Sequence, residues 1–115
     1  MEAAVIYLAS PYSHRNSKVR EERFQAACQA TANLVRAGHA VFAPIVLGPP
    51  LERCGIPSDW TFWQALARKY LARCDEMLVL QLDGWRESEG VQAELALAAE
   101  LGKRVHYLDA ETPHD

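Results

Sequence analysis

Cysteine is scarce in this chain. Cys28, Cys54 and Cys74 are far apart and no pair has CxxC spacing, which argues against a thiolate metal knuckle and a disulfide framework and fits the reduced thiols of a cytoplasmic protein. His14, His39, His106 and His114 are equally scattered, so no zinc site is expected, and the sequence calls for no cofactor. No apolar run approaches the ~18 residues of a membrane span. The opening MEAAVIYLAS lacks a basic segment followed by a long apolar run, so neither a signal peptide nor a membrane partner is expected. Positive charge is also in short supply: the net charge is −3, which leaves no electrostatic case for binding a nucleic-acid polymer. The glycines form neither a GxGxxG fingerprint nor a P-loop.

What remains is an ordinary globular composition. Half of the 115 residues are hydrophobic and 23% are charged, enough for one domain, residues 1–115, around a single core. Residues 3–9 (AAVIYLA) read as a strand buried on both faces. A helix over 17–37 follows, stopped by Gly38, and residues 39–44 (HAVFAP) read as a second strand. Residues 45–58 hold a Pro-Pro pair, two glycines and a further proline, and read as a long loop. A helix over 59–73, capped by Ser58 or Asp59, leads to a third strand at 76–82. A last helix ends at Gly102, residues 103–108 (KRVHYL) make a fourth strand, and the tail AETPHD is expected to be loose. The helix–Gly–strand unit occurs twice, as VRAGHAVFAP and AELGKRVHYL. This alternation predicts an α/β, doubly wound parallel sheet of four to five strands, flavodoxin- or Rossmann-like, with helices on both faces.

Ligands of such sheets collect beyond the carboxyl ends of the strands. The segments predicted there are residues 10–14, the stretch from Pro44 onward, and residues 83–90. In the first, Ser10, Tyr12, Ser13 and His14 bring hydroxyls, an aromatic face and an imidazole to a strand-to-helix turn, although Ser13 or Asn16 also suits a plain helix cap. In the last, Ser88 and Gly90 open a helix whose free N–H groups suit a phosphate, and they serve equally well as an N-cap and a packing residue. Trp60, Phe62, Trp63 and Tyr70 read as core or interface, and Trp85 is available to wall a base or sugar. No Ser-His-Asp or Cys-His arrangement can be assembled.

Glu94 stands out. At about 100° per residue, Gln92, Ala93, Ala96 and Glu100 share one arc of the helix. Glu94 falls in the opposite arc, between Leu101 and Ala98, with Val91, Leu95 and Leu97. A carboxylate there must be paired, protonated or set at a cavity, and its side chain leans back toward the helix N-terminus.

Three stretches, YLASPYSH, CDEMLVLQLDGW and SEGVQAE with LGKRV, together resemble the nucleoside 2-deoxyribosyltransferase superfamily, in order and over nearly the whole chain. The likeness is greatest to small bacterial branches with a GWxxSxGxxxE signature. The resemblance implies cleavage of the N-glycosidic bond of (deoxy)nucleoside 5′-monophosphates by hydrolysis or transfer. Glu94, four residues after Gly90, would be the nucleophile and Ser88 would contact the 5′-phosphate. Tyr7, Ser10 and Tyr12 would border base and sugar, Tyr7 or Tyr12 would supply a hydrogen bond that keeps the sheltered Glu94 ionised, and Asp83, Gly84 and Trp85 are counted with the substrate-binding residues. It further implies a small-molecule nucleoside or nucleotide partner and a homo-oligomer. One departure stands out: many relatives carry an Asp eight residues before the position of Asp75, and here that residue is Ala67. Asp83 or Glu87 would have to replace it, or the chemistry is weakened. The alternative is a nucleotide-binding sensor or regulatory module without catalysis. In a third reading, Glu94 pairs with a cation of a neighbouring chain.

Overall fold

The run Val5–Ala9 forms strand β1, and its last four residues are buried. In the computed structural model, which describes residues 3–110, it is followed by α1 (Ser17–Arg36), β2 (Ala40–Phe42), α2 (Pro44–Glu52) and α3 (Trp60–Arg73). Then come β3 (Glu76–Gln81), a 3-10 turn (Trp85–Glu87), α4 (Glu89–Glu100) and β4 (Arg104–Asp109). The tail expected to be loose lies, from residue 111 on, outside the described residues.

The four strands are all parallel, in the order β2-β1-β3-β4. The order reverses between β1 and β3, and in sheets of this kind that switch point opens a crevice at the strands' carboxyl ends. Alternation along the strands divides the core. Tyr7 and Ala9 of β1 and Met77 and Val79 of β3 pack with Ala67 and Leu71 of α3 and Val91, Leu97 and Ala98 of α4. Leu8 and Leu80 point the other way and pack with Ala30 of α1 and Ala43. Helices thus cover both faces, as a doubly wound α/β fold requires. At the opposite, amino edge of the sheet, the Asp75 carboxylate accepts a hydrogen bond from the Val5 amide at 2.8 Å and His39 Nδ1 accepts one from Ala4 at 3.0 Å. Asp75 is therefore occupied far from the crevice.

One element departs from the sequence reading. The expected loop begins with a helix, α2, which contains Gly48, Pro49 and Pro50. Pro44 sits in its first turn, where a missing N–H costs nothing. The interior prolines forfeit backbone bonds, so propensity argues against the helix. Packing overrides it: Gly48 and Pro49 are buried, and Val46 joins the cluster around Leu8. Residues 53–59 remain non-helical. Among the described residues, no helix is long and apolar enough to cross a membrane.

A candidate active-site cleft at the sheet edge

Tyr7, on the central strand, faces α4, and its Oη donates a hydrogen bond to Glu94 Oε2 at 2.6 Å. Glu94 is only 6% exposed. Burial disfavours its charged form and pushes its pKa up to about 7, against the smaller opposing effect of the Tyr7 hydrogen bond. The Tyr7 phenol is pushed up too, first by its own burial and then by the Glu94 charge.

Glu94 borders two voids. One is an open cleft of about 1020 Å³ and the other a hollow of about 20 Å³, where Glu94 meets Tyr7, Phe42, Trp60, Trp63 and Ala67. Five parts of the chain wall the cleft: the turn after β1, the first turn of α1, α2, the residues around the start of α3, and residues 87–94 at the start of α4.

The turn after β1 brings Ser10 and Tyr12 to the cleft. Ser10 is 4% exposed, and its Oγ has no hydrogen-bond partner among the described residues. An orphaned buried hydroxyl costs on the order of 1–3 kcal/mol, so a ligand that bonded it would recover that cost. Ser88 is the N-cap of α4, its Oγ accepting from the Val91 amide at 3.2 Å. That bond uses a lone pair and leaves the hydroxyl proton free to donate into the cleft that Ser88 also lines. Gly90 borders the cleft in the first turn of α4, and a methyl group there would meet nothing nearer than Ser88 Oγ at 3.9 Å. The fold itself therefore does not require a glycine at this position; its bareness opens the helix N-terminus toward the cleft.

Asp83, Gly84 and Trp85 are not brought into the cleft. The Arg23 guanidinium donates to the Asp83 carbonyl and to the Ser13 carbonyl, each at 2.9 Å, tying together the loops after β3 and β1. Gly84 has φ +86°, and a Cβ there would lie 2.7 Å from Arg23 Nη2. Trp85 packs against the α3–α4 core and against Tyr107, ring centroids 5.4 Å apart, with the Arg86 guanidinium 5.0 Å from its ring. Gly84→Ala is accordingly expected to lower unfolding free energy by roughly 1–3 kcal/mol, through left-handed backbone strain and displacement of Arg23. Urea denaturation checks this, and a change below about 0.5 kcal/mol contradicts the clamp.

Several cleft residues escaped the sequence reading. Arg20, one turn into α1, lines the cleft and donates to the His14 carbonyl. Its signal was a cation close behind the turn after β1. Trp60 and Trp63, read as core or interface, wall the cleft, and Glu52 of α2 joins them. Glu87 borders the cleft, whereas Ala67 is buried against the small hollow.

Residues 4–110 match the model of DUF1937, described as a domain of unknown function. No curated protein matches the chain. Among solved structures it is similar to a 2-deoxyribosyltransferase from the psychrotolerant bacterium Bacillus psychrosaccharolyticus, described as a biocatalyst for the synthesis of nucleosides. The two superpose with a TM-score of 0.65 at 23% identity, over 97% of this chain and 77% of the other. The likeness is one of fold.

Proposed function

This chain belongs to the DUF1937 family, and from that premise, its 2-deoxyribosyltransferase-like fold and its cleft, we propose that it cleaves the N-glycosidic bond of nucleoside 5′-monophosphates with Glu94 as nucleophile. The observation that carries the reading is a single carboxyl group, buried beside Tyr7 and opening on a nucleotide-sized cleft at the topological switch point.

The cleft supplies the parts such a reaction needs. A 5′-phosphate fits against Ser88 and Gly90, where the N-terminus of α4 and a free hydroxyl proton face the cleft, and Arg20 lines the same cleft as a source of positive charge. Glu94 lies one turn further along α4 and faces the anomeric carbon. The C1′–N bond breaks, its electron pair leaves with the base, and a Glu94 oxygen closes on C1′ to form a glycosyl ester. Tyr7 holds Oε2 and leaves Oε1 for the attack. Water or a second base then attacks C1′ and releases the carboxylate. Ala67 offers no proton to the departing base. Of the two substitutes the sequence suggested, Glu87 borders the cleft and Asp83 does not.

Incubation with 2-deoxynucleoside 5′-monophosphates, followed by chromatography for free base and 2-deoxyribose 5-phosphate, tests the reading. Only the ionised carboxylate attacks, so kcat/KM is expected to rise with pH and level off above about 7. A flat profile between pH 5 and 9 contradicts the assignment. Ala67 favours one second reading, a nucleotide-binding module without turnover. Tight binding with no release of base selects it.

A further inference from the structure

We propose that Glu52 reads the base and selects for guanine. This rests on the nucleotide reading of the same cleft and adds what that reading leaves open, the identity of the base.

The two ends of the cleft differ in chemistry. On the α4 side the cleft is lined by Ser88 and Gly90 at the helix N-terminus together with the carboxylates Glu87, Glu89 and Glu94, and Arg20 of α1 lines the same cleft. At the other end are Pro44, Pro49, Trp60 and Trp63, flat apolar walls of the kind on which a base stacks, together with the carboxylates Glu52 and Asp59. Glu94 connects the ends: it shares α4 with Gly90 and shares the small hollow with Trp60 and Trp63. A nucleotide with its phosphate at Ser88 and its anomeric carbon at Glu94 therefore sends its base toward α2 and α3.

The two carboxylates there are not equivalent. Asp59 is engaged as the N-cap of α3, its Oδ2 accepting from the Phe62 amide at 3.2 Å. Glu52 has no hydrogen-bond or ion-pair partner among the described residues. Its Oε2 and Trp63 Cζ2 each lie 3.8 Å from the point where a Gly48 Cβ would stand, so acid and indole flank the same bare spot on α2. A carboxylate accepts and does not donate, and it can accept two bonds side by side. Guanine matches it with adjacent N1–H and N2–H donors. Hypoxanthine lacks the second donor, adenine and cytosine offer one amino group, and thymine places carbonyl oxygens on either side of its N3–H. The hydrogen bonds expected here are of the charge-assisted kind, and losing one is expected to cost about tenfold to hundredfold in affinity.

dGMP and dIMP differ by the 2-amino group alone. Binding of each to the full chain is measured by calorimetry, with base release followed in parallel. The expected result is that dGMP binds about tenfold to hundredfold more tightly than dIMP, and that Glu52→Gln, which exchanges one acceptor for a donor, brings the two within a few-fold. Equal binding by the unaltered protein, a ratio unchanged in Glu52→Gln, or no binding of either nucleotide overturns the proposal. Selective dGMP binding with no release of base upholds it and removes the catalytic reading. Release of base without discrimination keeps the catalytic reading and removes this one.

Discussion

Glu94→Gln is expected to cut kcat/KM for base release by about a thousandfold or more, corresponding to at least about 4 kcal/mol of lost transition-state stabilisation. The substitution is nearly isosteric, and the amide carbonyl still accepts the hydrogen bond that Tyr7 now donates to Glu94 at 2.6 Å. Nothing in the surrounding core of Val91, Leu97 and Ala98 has to move. What disappears is the negative charge that stabilises the developing cation at C1′ and the lone pair that forms the ester. The loss should fall on kcat, because the proposed phosphate and base contacts lie elsewhere in the cleft. Steady-state kinetics on deoxynucleoside monophosphates, with calorimetric binding as control, decides it. Release that persists within about tenfold removes Glu94 from the nucleophile's role. Lost binding together with lost release assigns the residue to affinity instead.

The same residue shows how far a sequence alone reaches. The helical wheel places Glu94 on an apolar arc, and in the structure that arc is buried with Val91, Leu97 and Ala98. The parallel sheet was legible because the strand segments IYLA and MLVL are continuous apolar runs and because glycines follow the ends of α1 and α4. The sequence offers Tyr7 or Tyr12 as the hydrogen-bond donor to Glu94 and does not decide between them. Tyr7 stands 87 residues away, and only the parallel register of β1 with β3, with α4 folded over both, brings the phenol to the carboxyl. Helix α2 was hidden by its interior prolines, whose local cost is outweighed by burial that no local window contains. Periodicity also failed at Trp60 and Trp63, and Glu52 was hidden with α2 in the expected loop. Periodicity assigns a residue to one face of a helix without saying whether that face meets a core or a cleft. Trp85 illustrates the converse: it sits in a loop at the functional edge and turns inward to pack on the core.

Burial of Glu94 should also be visible without any substrate, as pH-dependent stability. Its pKa is about 7 when folded against an ordinary value of 4.5, so the folded state holds the proton more tightly. Below pH 4.5 the carboxyl is protonated in both states and the full benefit of burying a neutral group is present. Between 4.5 and 7 the unfolded chain gives up its proton while the folded chain keeps it, and stability falls as pH rises. Above about 7 both forms are ionised, and the folded protein bears the whole penalty of a buried charge, roughly 3 kcal/mol for a shift of this size. Glu94→Gln has no such ionisation. Urea denaturation of both proteins from pH 4 to 8.5 should therefore show the variant gaining about 3 kcal/mol on the wild type across the series, with the midpoint of the gain between 4.5 and 7. Other titrating groups cancel in the difference. A difference that stays flat within about 0.5 kcal/mol would mean that the carboxyl is solvated in solution. Its proposed chemistry would fall with it, because the sheltering that makes this group costly to ionise is also what would let its charge act strongly on a cationic sugar.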